Sequence, residues 1–405
     1  MTDHLSRTTC AFSLLILSAF APAHQQTLQN ATITDLSHKN MDFAMNLYRR
    51  ISSYNDKDVF FSPLSISTTF AALLMATGGD TREEMLTGLN LRQLEEANRP
   101  ELIPRLFQLL HENITQNGSL QLDQDMTMFL SEKLDAEKAF EEQMREYFQA
   151  EIKTVDFSNA RRCVARINDH IKGKTKGRLK DMISTLDAET ELMLVDTIFF
   201  RGEWKSPFNS NLTKTEPFYI DNYNIVQVQM MYREDRFYMG HDVSLGAKVL
   251  KLPYDHGVSM LILLPNKGVD YTVIDDEINA DRFQGWLRNM RKIKVEVHLP
   301  KFKMEESYEL HKVLPDMGFS TLFTNIANLT NLHKNKELKV SEVLHKAVID
   351  VDETGTTAAA ATSVGIMPYS LPPSFIANRP FFFFIFHEDT NALLFMGRVI
   401  DPTKS

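Results

Sequence analysis

The bond between Tyr369 and Ser370 lies in a stretch that reads "MPYSLPPSF". Pro368 precedes this bond, and Pro372 and Pro373 follow it closely. Proline has no backbone N–H to donate and resists the regular pairing of a sheet, so we expect the dipeptide to be exposed and extended. Proteases accept substrates in that shape. The dipeptide is therefore a candidate cleavage site.

The residues before this bond are small and uncharged, and those from 356 to 363 read "TTAAAATS". A stretch of this composition can slide into a tight slot between other elements. Alternate side chains of a strand point to opposite faces, so one set would point inward after such an insertion. That set is Thr356, Ala358, Ala360 and Thr362. A helical linker is the alternative, which the threonines, Gly355 and Gly365 disfavour.

The elements that must position this segment are strands of the second half. Apolar or alternating runs bounded by turn residues predict strands in "ELMLVDTIFFRGEW", "IVQVQMMYR", "AKVLKLPY", "VSMLILLP" and "IKVEVHLPKF". The segment connects "EVLHKAVIDVDE" with "FIANRPFFFFIF", and the latter predicts a buried C-terminal hairpin with "ALLFMGRVI". Apolar spacing of three and four predicts helices in the first half. The fold class is α+β, as one domain over 41–405 after a short tail over 24–40.

Motifs of known catalytic chemistry are absent from the sequence. There is no G-x-S-x-G, no H-E-x-x-H and no paired C-x-x-C, and "GKTKG" lacks the upstream glycine of a phosphate loop. The histidines at 241, 256, 298, 311, 333, 345 and 387 stand singly, so we expect surface or hydrogen-bonded core positions for them. The sequence predicts no enzymatic activity, no catalytic residue and no metal site.

Two features around residue 163 have alternative interpretations. Cys163 has helical spacing with Val164 and Ile167, so we expect it in the core rather than as a reactive thiol. The surrounding cations can hold a sulfated polysaccharide or form a solvated helix face, which the interrupting Asp169 and Asp181 favour. These cations are Arg161, Arg162, Arg166, Lys172, Lys174, Lys176, Arg178 and Lys180.

The N terminus predicts export from the cell. Arg7 precedes an apolar run, and Ala21-Pro22-Ala23 fits the pattern that signal peptidase accepts, so residues 1–23 are predicted to be a signal peptide. A short buried helix is the alternative. The formal net charge of -9 argues against binding of nucleic acid or general attraction to anionic membranes. Sequons, which can carry glycans on an exported chain, begin at Asn30, Asn113, Asn117, Asn211 and Asn328.

Several segments together resemble signature segments of the serpin family. They are "VFFSPLSIS", "LVDTIFFRGEW", "INDHIKGKTKGRL", "LHKAVIDVDETGTTAAAAT" and "RPFFFFIFHEDTNALLFMGRVIDP". The resemblance implies a single domain with three β-sheets, eight or nine helices and an exposed reactive-centre loop over about 353–373. It also implies a secreted, monomeric inhibitor of serine endopeptidases. The hinge residues would be Glu353, Gly355, Thr356, Ala358, Ala360 and Thr362.

The resemblance further implies that inhibition begins as proteolysis. The serine of the target protease would attack the carbonyl of Tyr369. The freed segment would then enter the large sheet as an additional strand and carry the attached protease with it. At ~3.3 Å per residue, about twelve inserted residues would move the attachment point by roughly 40 Å.

Other segments resemble a clade A branch that acts in blood coagulation, namely "QMMYREDRF", "WLRNMRKIKVEVHLPKFKMEESYELHKVL" and "MPYSLPPSF". This implies coagulation factor Xa as target, factor XIa as a second target, and protein Z, calcium and phospholipid as assembly cofactors. Partner contacts would map onto Asp221, Tyr223 and Asp281, and a heparin site onto 90–107. Tyr369 alone predicts a chymotrypsin-like target. A cofactor-independent inhibitor of such proteases and a non-inhibitory hormone carrier are the alternatives.

Overall fold

The computed structural model describes residues 31–54, 56–116, 121–179, 182–334, 338–354 and 372–404. Nine α-helices lie within these ranges: α1 (Ile33–Ser52), α2 (Pro63–Ala76), α3 (Gly79–Gly88), α4 (Leu102–Thr115), α5 (Lys138–Phe148), α6 (Ala160–Lys174), α7 (Tyr271–Glu277), α8 (Ala280–Asn289) and α9 (Leu310–Val313).

The same ranges contain fourteen strands. They are β1 (Val59–Phe61), β2 (Gln121–Ser131), β3 (Glu151–Val155), β4 (Leu192–Arg201), β5 (Lys214–Tyr219), β6 (Ile225–Asp242), β7 (Ala247–Pro253), β8 (Val258–Pro265), β9 (Arg291–Pro300), β10 (Phe302–Glu309), β11 (Glu342–Val351), β12 (Ser374–Ile376), β13 (Phe381–His387) and β14 (Leu393–Val399). The mixed α+β prediction is confirmed.

Helix α1 begins at Ile33, inside the segment predicted to be a tail over 24–40. Its first turn has a capping box: the Asp35 N–H donates to Thr32 Oγ1, and the Thr32 N–H donates to Asp35 Oδ2. These bonds satisfy two backbone donors that a helix start otherwise leaves unpaired. Leu36 is fully buried, so the helix already packs on the core here. The predicted tail therefore ends too late.

The larger sheet has nine strands in the described residues. Its order is β1-β14-β13-β8-β7-β6-β9-β12, and β5 pairs with β6 outside this path. β13 and β14 are antiparallel neighbours, which confirms the predicted C-terminal hairpin. Both faces of β13 are covered, and every residue from Phe381 to His387 is buried. A continuous apolar run is the sequence that such a strand requires.

Strand β6 joins two parts of this sheet. Its first six residues pair with β5, its middle pairs with β9, and its last residues pair with β7. The three expected sheets therefore appear as two hydrogen-bonded sheets, because this 18-residue strand is shared. One part contains the C-terminal hairpin, and the other contains β9 and β12.

The smaller sheet has five strands, in the order β10-β11-β4-β2-β3. β4 and β11 lie at its centre and run parallel, with Glu342 opposite Met193 and Ile349 opposite Phe200. We call this β4–β11 pairing the seam. Because the two strands are parallel, their carboxyl ends lie together. β11 leads from there into 355–371, which lies outside the described residues.

Helix α6 packs over the seam. Its buried residues are Cys163, Ile167 and Ile171, which confirms the core position predicted for the cysteine. They share one apolar cluster with residues from both sides of the seam: Met193 and Val195 of β4, and Leu344 and Val348 of β11. Anything that separates the two strands must therefore also displace this helix.

Candidate functional site

The carboxyl end of the seam holds the start of the connection to β12. The Trp204 Nε1–H donates to the Asp352 carbonyl at 2.8 Å, and the Trp204 N–H donates to the Thr354 carbonyl at 3.3 Å. Arg201 Nη2 lies 2.9 Å from Asp352 Oδ2. The Trp204 ring stacks on Tyr254, with ring centroids 4.1 Å apart. The last described residues before 355 are thus fixed to β4 and the segment that follows it.

Glu353, the described member of the predicted hinge, has two polar partners. Lys301 Nζ lies 2.7 Å from Glu353 Oε2, and Thr213 Oγ1 donates to Glu353 Oε1 at 2.7 Å. Burial works against ionisation, but the hydrogen bonds from Lys301 and Thr213 lower the pKa of Glu353 below its ordinary value. The carboxylate therefore stays ionised at neutral pH and ties the hinge to the β9–β10 connection.

The interior of the seam contains a buried polar group of four residues. Asp196 of β4 lies opposite His345 of β11, and His345 Nδ1 is 2.8 Å from Asp196 Oδ2. The Ser62 N–H donates to His345 Nε2 at 3.1 Å, so Nε2 accepts and the imidazole proton lies on Nδ1. Ser65 Oγ donates to Asp196 at 2.7 Å. This group links both seam strands to the start of α2.

This arrangement can exchange one strand partner for another. A segment that follows β11 through a turn would run antiparallel to β11 and also to β4. Insertion would replace one parallel ladder by two antiparallel ladders, which are slightly more stable per residue. Opening would break the polar contacts at the carboxyl end and displace α6 from its apolar cluster, whereas the lost ladder would be restored by the incoming strand.

The structure leaves most of the predicted reactive segment undescribed. Tyr369, Ser370, Gly355, Thr356, Ala358, Ala360 and Thr362 lie outside the described residues. The description resumes at Pro372, and β12 follows, with Phe375 opposite Val297 of β9. The connection therefore begins in the five-stranded sheet and ends in the nine-stranded sheet.

The predicted partner contacts lie at opposite ends of β6. Asp221 and Tyr223 occupy the turn before this strand, where Asp221 Oδ1 accepts the Tyr223 N–H at 2.7 Å and the Tyr223 side chain is 93% exposed. Asp281 lies in the first turn of α8, and its neighbour Arg282 contacts Asp242 at the strand's far end.

The sequons differ in accessibility. Asn30 and Asn117 lie outside the described residues. Asn113 is half-buried on α4, and Asn211 is exposed in a short 3-10 turn. Asn328 is half-buried, and its Oδ1 accepts from Thr330 Oγ1 at 2.8 Å. A Cβ on Gly78 would come within 3.3 Å of Asn328 Nδ2, so this amide nitrogen already packs against the chain.

Acidic neighbours neutralise much of the positive charge in the two predicted polysaccharide sites. On and after α6, Lys174 pairs with Glu151, and Lys176 and Arg178 pair with Asp123, while Arg161, Arg162, Arg166 and Lys172 are exposed. Over 90–107, Arg92 pairs with Glu83 and Arg99 pairs with Glu96. Lys180 lies outside the described residues.

The described residues hold no group of three or more His, Cys, Asp or Glu side chains suited to a metal ion. None of the helices in the described ranges is long and apolar enough to cross a membrane.

Comparisons with known proteins agree with the topology of the two sheets. The family model described as "Serpin (serine protease inhibitor)" matches residues 38–402. The chain belongs to the serpin family. Among curated relatives of this serpin, the mouse protein Z-dependent protease inhibitor is 37% identical over 369 residues, which cover 91% of this chain and 82% of the relative.

Solved structures show the same serpin fold. The mouse protein Z-dependent protease inhibitor superposes with a TM-score of 0.86 at 36% identity, covering 92% of this chain and 98% of that one. Human thyroxine-binding globulin, solved with its hormone, superposes with a TM-score of 0.84 at 30% identity, covering 92% and 100%. This serpin is thus similar both to a protease inhibitor and to a carrier.

Sequence reasoning missed the residues that hold the serpin seam. The sequence predicted no role for Asp196, Lys301 and Thr213, and for His345 only a surface or hydrogen-bonded core position, because their partners are distant in sequence: Asp196 and His345 are 149 residues apart. One signal was available. A charged Asp196 within the apolar run "LMLVDTIFF" requires a buried partner, and a single histidine in the apolar run "VLHKAVI" is a suitable one.

Proposed function

We propose that this serpin is a secreted inhibitor of serine proteases that acts as a suicide substrate, with Tyr369–Ser370 as its reactive bond. The observation that carries this proposal is the seam: two central strands run parallel, and the candidate reactive segment begins at their shared carboxyl end. The polar contacts of Asp352, Glu353 and Thr354 hold that beginning in place.

The first step is ordinary acyl transfer. The protease serine attacks the Tyr369 carbonyl, the peptide bond to Ser370 breaks, and the amine of Ser370 leaves with a proton. An ester then joins Tyr369 to the protease. Hydrolysis of this ester would release an intact protease, so inhibition requires a faster competing event.

Insertion of the freed segment between β4 and β11 is that event. The inward set Thr356, Ala358, Ala360 and Thr362 brings no charge into the sheet, so the segment enters without the cost of burying an ion. Travel along the seam drags the ester-linked protease away from the reactive end and distorts its active site. The outcome depends on the ratio of the insertion rate to the hydrolysis rate.

We propose coagulation factor Xa as the target and factor XIa as a second one, with protein Z, calcium and phospholipid as assembly cofactors. Similarity to protein Z-dependent protease inhibitors supports this assignment. A tyrosine suits factor Xa poorly, since that protease prefers arginine at the cleaved position. A cofactor that collects both proteins on one membrane can compensate through effective concentration. Asp221, Tyr223 and Asp281 remain the proposed cofactor contacts, and heparin is a proposed further ligand.

A cofactor-independent inhibitor of chymotrypsin-like proteases is the second candidate, because Tyr369 fits an aromatic-accepting pocket directly. A carrier function, as in thyroxine-binding globulin, is the third. The small, uncharged residues over 356–363 favour inhibition, since a carrier has no need of a segment suited to insertion.

The test is a covalent complex that survives denaturing gel electrophoresis. The full chain is mixed with factor Xa, with and without protein Z, calcium and phospholipid vesicles, and separately with chymotrypsin. We expect a complex with factor Xa whose rate rises steeply with the cofactors. A fast complex with chymotrypsin alone supports the second candidate, and cleavage without any complex contradicts inhibition.

A further inference from the structure

The sequon Asn211-Leu212-Thr213 lies beside the carboxyl end of the seam. We propose that Asn211 carries an N-linked glycan that hinders the insertion of a second molecule's reactive segment into the seam. This inference rests on the proposed secretion and insertion mechanism. It assigns a specific task to one of the five sequons: protection against self-association.

Among the three described sequons, Asn211 is the one best placed to carry a glycan in the folded protein. Its side chain is exposed. Its backbone N–H donates to Asn209 Oδ1 at 3.0 Å, and this bond stabilises the turn without using the Asn211 side chain. Asn113 is half-buried on α4, and the Asn328 amide packs against Gly78. A hydrated, bulky glycan requires an open surface position.

The sequon is directly connected to the hinge. Thr213, its third residue, donates through Oγ1 to Glu353 at 2.7 Å, and Glu353 also binds Lys301. Asn211 lies two positions before this contact, so a glycan on it would project from the place where an inserting strand enters. The Thr213–Glu353 bond itself does not involve the Asn211 side chain.

Such a glycan would affect two kinds of insertion differently. The molecule's own segment is already tethered at Thr354, which accepts the Trp204 N–H, and needs only to turn into the seam. A segment from a second copy must bring its whole protein body close to the same opening. Excluded volume of the glycan therefore opposes the bimolecular event more strongly than the unimolecular one.

The seam itself can accept either segment. Insertion by β-strand addition depends on backbone hydrogen bonds, which are the same for a segment of either copy. Once the polar contacts at the carboxyl end open, the interior residues of the seam do not distinguish the molecule's own segment from that of a second copy. Protection against chain-to-chain insertion must therefore come from outside the sheet.

The experiment uses the full chain secreted from mammalian cells. Glycan occupancy at Asn211 is measured by mass spectrometry after enzymatic deglycosylation in heavy-oxygen water. Polymer formation during incubation at a mildly raised temperature is followed on native gels for the unmodified sequence, Asn211→Gln and the matched control Asn113→Gln. The same variants are made in bacteria, where no glycan is added.

We expect Asn211 to be occupied and Asn211→Gln to polymerise several-fold faster than Asn113→Gln, at an unchanged stoichiometry of protease inhibition. In bacterial protein Asn211→Gln should make no difference. An unoccupied Asn211, equal polymerisation of the two secreted variants, or the same acceleration in bacterial protein would each overturn the inference. The proposed inhibitory function is tested separately by the covalent-complex assay. It fails if no variant forms a covalent complex with any protease.

Discussion

The C-terminal hairpin and the seam are both buried strand pairings, but different interactions stabilise them. β13 is covered by aromatic side chains: Phe60 stacks on Phe383 with ring centroids 5.8 Å apart, and Phe283 meets Phe384 edge-on at 5.5 Å. The seam has an apolar cluster under α6, and polar contacts add to it: Asp196 with His345 inside, and Arg201, Trp204 and Lys301 at its carboxyl end.

The difference suggests which pairing can change. Separating the hairpin would expose aromatic surface to water, with nothing to replace the lost packing. Opening the seam breaks a few directional bonds and one ladder and displaces α6 from its apolar cluster, but an entering strand restores the ladder. We infer that the hairpin is the fixed part of this serpin and the seam the part that rearranges.

The largest effect is expected when a charge is placed in the inward set. Thr356→Arg should convert the inhibitor into a substrate that is cleaved and released, because burying an unpaired cation costs several kcal/mol. Thr357→Arg is the matched control, since its side chain would face outward in the inserted strand. Denaturing gels with the target protease measure the fraction of covalent complex. A stable complex formed by Thr356→Arg would contradict the insertion mechanism.

Two core variants, one in the seam and one in the hairpin, test whether the two strand pairings differ in their ability to open. Asp196→Ala leaves the His345 Nδ1–H without its buried acceptor and should lower the free energy of unfolding by about 1–3 kcal/mol. Phe384→Ala leaves a cavity in the hairpin and should lower it by about 3–5 kcal/mol. Only Asp196→Ala should accelerate uptake of a synthetic peptide with the sequence of residues 356–367. Denaturant unfolding and native gels measure the two quantities.

Asp196→Asn keeps the size and the acceptor oxygen of the aspartate. Its rate of peptide uptake should therefore lie between the rates of the unmodified chain and of Asp196→Ala. If Phe384→Ala takes up the peptide as fast as Asp196→Ala, global stability controls opening, and the distinction between the two regions is wrong.

Protonation should affect the five-stranded sheet through Glu306 of β10. Burial, with a smaller contribution from the Asp58 carboxylate, raises the pKa of Glu306 from 4.5 to about 7. Between these values the folded chain keeps a proton that the unfolded chain has lost, so stability falls as pH rises across this window. Above pH 7 the loss is constant, at about 1–2 kcal/mol, because solvent screens this partly exposed carboxylate.

Glu306→Gln removes this ionisation. Its stability relative to the unmodified chain should be nearly unchanged at pH 4 and should increase towards pH 8. Urea unfolding across this pH range measures the difference. A difference that stays constant with pH would show that Glu306 does not titrate as described.

The smallest effect on stability is expected from a substitution at the carboxyl end of the seam. Lys301→Ala removes one of the two partners of Glu353, but the Lys301 side chain is 39% exposed, so the loss of stability should be only about 1 kcal/mol. Spontaneous opening should nevertheless increase, seen as faster peptide uptake. Lys303→Ala, an exposed lysine on β10, is the control. Equal uptake by both variants would argue against a role of the hinge contacts.

The sequence predicted the hairpin and the central strands well because their apolar runs have no other stable location. It missed β2 and β3 in the first half, which was predicted to be helical. β2 reads "QLDQDMTMFLS", whose polar start hides a strand that is covered only in its second half, and β3 has five residues at a sheet edge. Helices α7 and α8 were missed because strands dominate the surrounding sequence.

The site could be predicted only where its chemistry is local. The composition of 356–373 is readable from neighbouring residues, and Glu353 follows from the family resemblance. The bonds of Trp204 to Asp352 and of Thr213 to Glu353 depend on folding that joins residues 148 and 140 positions apart. No periodicity or spacing in a single sequence encodes such pairs.

The attachment of β12, β13 and β14 to the nine-stranded sheet has a consequence for the cut protein. All three strands follow Tyr369 in the chain, and they pair with β9, β8 and β1 from before it. Cleavage of the Tyr369–Ser370 bond therefore yields two polypeptides that stay together as one folded molecule. The smaller piece should separate only under denaturing conditions and should stay with the larger one during gel filtration, however far the protease has been carried.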